Sequence, residues 1–366
     1  MSSPSAAKSN PGNFFEDFRL GQQIRHATPR TMTVGDVAVY QGLFGPRFAV
    51  QSSDAFARAI GYAQAPLDDL LVFHVVFGKT VPDISLNAVA NLGYADCRFL
   101  KPVYPGATLS ALSDIIGLRE NANRKTGIVY VRSRGFDQVG DCVLDYVRWV
   151  MVRKRDENAP APPAQVPDLP KAVEPARLGG ACPKIDAAAH DTVLSGSPHR
   201  FGDYQVGEKI DHADGVTVEE AEHMMATRLY QNTARVHFNQ FTESKGRFGR
   251  RLVYGGHAIS LARALSFNGL ANAFHVTAIN GGRHVAPLFA GCTVFAWSEV
   301  LEAADLPGRN DVGALRLRTI ATKDRPCADF PLKLALGPAE GGTRGDGDDY
   351  DPAVILDLDY WVLMPR

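Results

Sequence analysis

No excess of either charge marks this chain of 366 residues: 39 Lys and Arg against 40 Asp and Glu leave a net charge of −1. Nucleic-acid-binding surfaces are usually visibly basic, so this balance argues against such a partner. Only a local patch such as Arg250 and Arg251 stays open. No apolar run reaches the roughly 18 residues expected of a membrane-crossing helix, so no membrane partner is expected. The opening MSSPSAAKSNPGN is small and polar and lacks the apolar stretch of a signal peptide. Cysteine is sparse and odd in number: Cys97, Cys142, Cys182, Cys292 and Cys327. No two have metal-finger or redox-pair spacing, so they read as reduced thiols of a cytoplasmic protein, and no metal site is expected.

What is present is apolar enough for real cores. The hydrophobic share is 45% and the charged share 22%, and the length suggests two domains. The chain repeats itself. FEDFRLGQQIRHA from Phe15 matches FGDYQVGEKIDHA from Phe201. RFLKPVYPG from Arg98 matches RHVAPLFAG from Arg283, and LDYVRWVMV from Leu144 matches LDLDYWVLM from Leu356. Matched blocks in conserved order are the mark of a duplicated unit. Between the copies, APAPPAQVPDLPKAVEPARLGG from Ala159 has the prolines of an extended, semi-rigid connector. The expected units are residues 13–155, a connector at 156–198, and residues 199–366.

Each copy opens with a short strand and then a polar, helical segment. In the second copy Thr217 and Glu220 have capping-box spacing, with Ala221, Met225 and Leu229 following at helical spacing. LVYGGHAISLARALSFNGL carries few charges on any face and predicts a buried helix. Long stretches of period 2, rich in β-branched and aromatic residues, follow in both copies. A buried helix and a run of antiparallel strands make an α+β unit. The predicted fold is a tandem, or double, hotdog, in which each half wraps an antiparallel sheet around a central helix.

The densest polar stretch is ATRLYQNTARVHFNQ, just ahead of the glycine pair Gly255 and Gly256. A helix amino terminus presents unpaired N–H groups and a positive dipole end, and glycines let a ligand approach it closely. Those donors suit a thioester oxygen that becomes an enolate. The first copy has Pro46 where the second has Asn232, and Gln51 where it has His237; near the helix start Phe73 and His74 are set against Tyr254 and Gly255. The second copy is therefore expected to hold the chemistry and the first to be degenerate. Against each assignment stands a structural reading: asparagine caps turns, and glycine permits tight packing. His257, His26, His212, Arg98 and Arg283 read as structural residues. The glycine-rich GGTRGDGDD lacks the ending of a phosphate loop and reads as a plain loop.

Together, ATRLYQNTARVHFN and the glycine-opened helix resemble the MaoC-type, R-specific enoyl-CoA hydratases. Their signature is an Asp, then Asn-Pro, then a His five residues after the Asp, and a Gly at the start of the hotdog helix. Over nearly the whole chain, NPGNFFEDFRLGQ, LLVFHVVFGKTVPD, RRLVYGGHAISLARALSFNGLANA and GALRLRTIATKDRPC are similar to the mesaconyl-CoA hydratase family, or β-methylmalyl-CoA dehydratases.

That resemblance implies reversible hydration of mesaconyl-CoA to β-methylmalyl-CoA. It implies an acyl-CoA thioester as partner, no cofactor beyond the coenzyme A of the substrate, and further association into a homo-oligomer. His237 falls on the family histidine and is expected to be the general acid/base. Asn232 stands where the family carries Asp, and an amide cannot take a proton as a carboxylate does. Asn232 and Tyr230 are expected to orient water, and the N–H of Gly255 or Gly256 to hold the thioester oxygen. Arg235 or Arg228 is expected to grip the free carboxylate, with Tyr254 beside the substrate. The rival readings are hydration of another enoyl-CoA, a hotdog thioesterase, and a non-catalytic acyl-CoA binder.

Overall fold

A computed structural model describes residues 8–329 and 350–366. The acidic, glycine-rich stretch therefore lies largely outside the described residues. Among the described residues ten antiparallel strands form one sheet: β1 (Gln23–Thr31), β2 (Ala88–Phe99), β3 (Thr108–Glu120), β4 (Thr126–Phe136), β5 (Cys142–Arg153), β6 (Lys209–Thr217), β7 (His275–His284), β8 (Thr293–Asp305), β9 (Val312–Lys323) and β10 (Val354–Pro365). Their order is β1-β3-β4-β5-β2-β7-β10-β9-β8-β6. The second five thus repeat the first five in reverse. The halves join edge to edge where Cys97 meets Ile279 and Arg98 meets Ala278, so two sheet edges become a paired seam.

A central helix lies in each half. Asp69–Thr80 is buried at every residue, and Asp68 caps it by accepting the Leu70 N–H at 2.8 Å. Gly255–Leu265 is buried from Gly256 to Arg263. Apolar surface on all sides leaves such helices no stable place except between sheet and neighbour. The two touch where the His74 ring Nε2 and Ser260 Oγ lie 2.9 Å apart. The copies correspond element by element: helix Val34–Phe44 to Glu220–Leu229, and the short turn Ala49–Ser52 to Arg235–Phe238. Gln51 and His237 therefore hold equivalent places.

Three expectations are corrected. Thr217 does not cap the helix after it; it ends β6, its hydroxyl 2.9 Å from that of Thr293, and Glu219 holds the cap position without a side-chain bond. The real capping box is in the first copy, between Thr33 and Asp36. The helix Glu220–Leu229 also buries His223, Ala226, Thr227 and Leu229 and leaves Met225 exposed, a face offset from the one the spacing suggested. Finally, the first central helix begins at Asp69, so Asp68 and Asp69 match Tyr254 and Gly255, while His74 matches Ser260.

The connector is packed rather than free-standing. Gln165 pairs with Leu118, the Val173 N–H donates to Asn280 Oδ1 at 2.8 Å, and Val173, Cys182 and Ile185 are buried against Tyr62 and Trp361. The repeated histidines are structural twins. His26 meets Ser113 and Asp83, and His212 meets Ser298 and the Asn268 carbonyl, all within 2.8 Å. Of the repeated arginines, Arg98 pairs with Asp145 at 2.9 Å, and Arg283 lies over the Tyr350 ring.

Candidate active site

The polar segment turns sharply after the helix Glu220–Leu229. Gln231 takes a left-handed backbone (φ 57°), and Asn232 Oδ1 accepts the Ala234 N–H at 3.2 Å, an asparagine-stabilised turn. The short helix Arg235–Phe238 then presents His237. Its Nδ1 lies 2.9 Å from the Leu252 carbonyl oxygen. A carbonyl only accepts, so Nδ1 carries the proton and Nε2 keeps its lone pair. Burial pushes the His237 pKa down to about 4, so the imidazole is neutral at pH 7.

His237 opens onto a cavity of about 530 Å³. The second half lines it with Asn232, Arg235, His237, Tyr254, Gly255 and His284, and the first half with Phe77, Tyr94 and Arg148. It is a cleft between the halves, so residues of the first copy also shape its walls. The second central helix points its amino terminus into this cleft. The N–H groups of Gly255 and Gly256 make no hydrogen bond among the described residues, as first-turn donors do not. The Tyr254 N–H is used: it donates to His223 Nε2 at 2.9 Å.

Glycine is required at both positions. A Cβ on Gly255 would stand 2.4 Å from His284 Cε1, and one on Gly256 would stand 2.4 Å from the Tyr254 ring and 2.5 Å from His74. His284 thus packs flat against the helix start. It is half-buried, its ring lies 3.3 Å from the Tyr94 hydroxyl, and burial with the nearby His237 lowers its pKa to about 4.

Of the residues predicted from sequence, Asn232, Arg235, His237, Tyr254 and Gly255 come together around one space. Gly256 sits one step inside the helix. Tyr230 does not line the cavity; it is fully buried, its ring 4.6 Å from that of His74. Arg228 is exposed and also does not line the cavity. Arg235 is exposed at the rim and donates to Asn87 Oδ1 at 3.2 Å. His257 lies in the core, 4.8 Å from the Phe44 ring. Sequence reasoning missed His284, Tyr94 and Arg148. A signal existed in the repeated blocks, where His284 stands against Phe99 and Arg148 against Tyr360.

The equivalent place in the first half is closed. Pro46, Gln51, Asp68 and Leu71 line a space of only about 10 Å³. The Gln51 amide donates to the Phe274 carbonyl at 2.6 Å, so the side chain matching His237 is spent on packing. Two hotdog halves with one open, imidazole-bearing cleft define a double-hotdog protein of the MaoC-like dehydratase class. A family model described as mesaconyl-CoA hydratase matches residues 4–174. The chain is 64% identical over 361 residues to a β-methylmalyl-CoA dehydratase of Chloroflexus aurantiacus, covering 99% of each. It is 57% identical over 362 residues to a mesaconyl-CoA hydratase of Cereibacter sphaeroides, covering 98% of this chain and 100% of that one. The chain belongs to the mesaconyl-CoA hydratase family. Among solved structures, a MaoC domain protein dehydratase from Chloroflexus aurantiacus superposes with a TM-score of 0.93 at 63% identity, covering 99% of each chain. A Mycobacterium tuberculosis protein with a double hotdog fold superposes at 0.69 with 24% identity, covering 97% of this chain and 99% of that one, which supports the fold alone.

Proposed function

We propose that this chain catalyses the reversible hydration of mesaconyl-CoA to β-methylmalyl-CoA in the cleft between its halves. The observation that carries the chemistry is His237: a neutral imidazole with a free Nε2 facing the same space as a helix amino terminus. Water bonds through oxygen to the β carbon while His237 Nε2 takes its proton. The double-bond electrons move to the thioester oxygen, which the Gly255 N–H, with that of Gly256, holds as an enolate. The imidazolium then returns the proton to the α carbon, and the enolate collapses to the thioester. Both new bonds are fed from one side, so addition is syn. Water and the imidazole balance the protons, and no cofactor beyond the coenzyme A of the substrate enters the scheme.

Asn232 orients the water by hydrogen bonding, and His284 and Tyr254 wall the reacting atoms. Arg235, exposed at the rim, suits the phosphates of coenzyme A. All five cysteines are free, which fits the cytoplasm, and self-association is part of the reading. The test compares mesaconyl-CoA with crotonyl-CoA, following loss of enoyl-thioester absorbance and release of free thiol. Hydration of mesaconyl-CoA without thiol release is expected. Thiol release at the same rate would make the chain a thioesterase, and binding without turnover would make it a carrier.

A further inference from the structure

Arg148 on β5 is fully buried and lines the cavity, and its Nε and Nη1 have no hydrogen-bond partner among the described residues. Nη2 donates to Thr80 Oγ1 at 2.8 Å, and the guanidinium lies 4.2 Å from the centre of the Phe77 ring. The ionisable side chains that bear on it are Tyr146, Tyr94 and Tyr254, none a carboxylate. A buried charge is strongly unfavourable unless a partner offsets it, and a stacked ring offsets only part.

The duplication shows where that partner belongs. Arg148 faces Tyr94 on one neighbouring strand and Val131 on the other; Tyr360 faces Ile279 and Leu317 in the same pattern. Tyr360 therefore holds the place of Arg148, as Arg263 on the second central helix holds the place of Phe77. Cation and ring have exchanged positions between the copies. At the closed space Arg263 donates to Ser266 Oγ at 3.1 Å and to the Ala273 carbonyl and lies 3.6 Å from the centre of the Phe48 ring, while the carboxylates of Asp68 and Asp69 act on it through space and Asp68 lines the closed space. The residue matching Asp68 in the open half is Tyr254. The open cleft holds a buried cation and has Tyr254 where its closed twin has a carboxylate; the carboxylate that does line the cavity, Glu243, does not bear on Arg148.

We infer that Arg148 receives the free carboxylate of the acyl group. This rests on the reading of the substrate as a thioester of an unsaturated dicarboxylic acid. The free Nε–H and Nη1–H lie on different edges of the guanidinium, and either can grip a carboxylate through two parallel hydrogen bonds together with the Nη2 hydrogen that Thr80 leaves free. Neither nitrogen is open to water in the structure, so wall side chains yield as the acyl end docks and the pair forms dry. A plain enoyl chain has no anion for this cation, so Arg148 selects the dicarboxylate.

The test measures kcat/KM of the full chain for mesaconyl-CoA and crotonyl-CoA in wild type, Arg148→Met, Arg148→Lys and Arg235→Met. Loss of Arg148 should cost mesaconyl-CoA about 100-fold or more and crotonyl-CoA no more than about threefold. Arg235→Met should weaken both thioesters alike. Should Arg148→Met fail to melt cooperatively, Arg148→Lys keeps the charge and still should lower the mesaconyl-to-crotonyl ratio by about tenfold. An unchanged ratio in the folded Arg148 variant overturns the assignment while leaving the hydratase reading intact. Wild type that hydrates neither thioester, or both equally, overturns the substrate reading and this inference with it.

Discussion

In the proposed reaction His237 acts as the base, and its surroundings disfavour the imidazolium. The Leu252 carbonyl fixes its tautomer, and burial holds its pKa at about 4. The neutral form is the active one, so kcat/KM for hydration should be flat from pH 8 down to about 6. It should fall on an acid limb centred near 4, to the extent that the fold survives there. A limb centred at the ordinary histidine value near 6.5 would mean that His237 is solvated during turnover. Gly255→Ala drives a methyl group into the His284 ring. It should lower kcat by roughly tenfold or more and stability by about 1–3 kcal/mol, read by steady-state kinetics and a melt. At this scale, contrast between the copies made His237 and Asn232 legible. Arg228 and Tyr230 stand near His237 in sequence, but the fold turns Arg228 to solvent and Tyr230 into the seam between central helices. His284 and Arg148 come from strands distant in the chain, so no local pattern announces them.

Neutral histidine gathers on the central helices, at His74 and His257, and beside them, at His223 and His284. His74, His257 and His284 have pKa values lowered by burial to about 3, 3 and 4, and His223 is lowered too. In the unfolded chain each titrates near 6.5. Between about 6.5 and 4 the unfolded state binds more protons than the folded one, so stability falls as pH falls through that window. The melting temperature should therefore hold steady from pH 8 to 7 and drop clearly by pH 5, and replacing His257 with Phe should soften the drop. The strands and both central helices were legible because alternation and all-round apolarity are strong local signals. The Thr217 cap was not, because pairing with Thr293 keeps that residue in the strand, and tertiary pairing outweighs a four-residue motif. The connector's prolines disfavour a long helix, but its burial depends on a sheet face that only the folded halves create.

Across the whole molecule, one architecture holds two equivalent places and opens only one. The cleft measures about 530 Å³ and its counterpart about 10 Å³. Titration with methylsuccinyl-CoA, the saturated analogue, should give one site per chain, and Gln51→His should not add a second, because the space around Gln51 is filled. Two sites per chain would show that the first half binds as well. Hydration at His237 is tested most directly by kcat/KM for mesaconyl-CoA with wild type and His237→Gln, side by side, with folding checked by the melt. The account predicts turnover by the wild type and a loss of about 100-fold to 10,000-fold in the variant. A folded variant within a few-fold of wild type would contradict it.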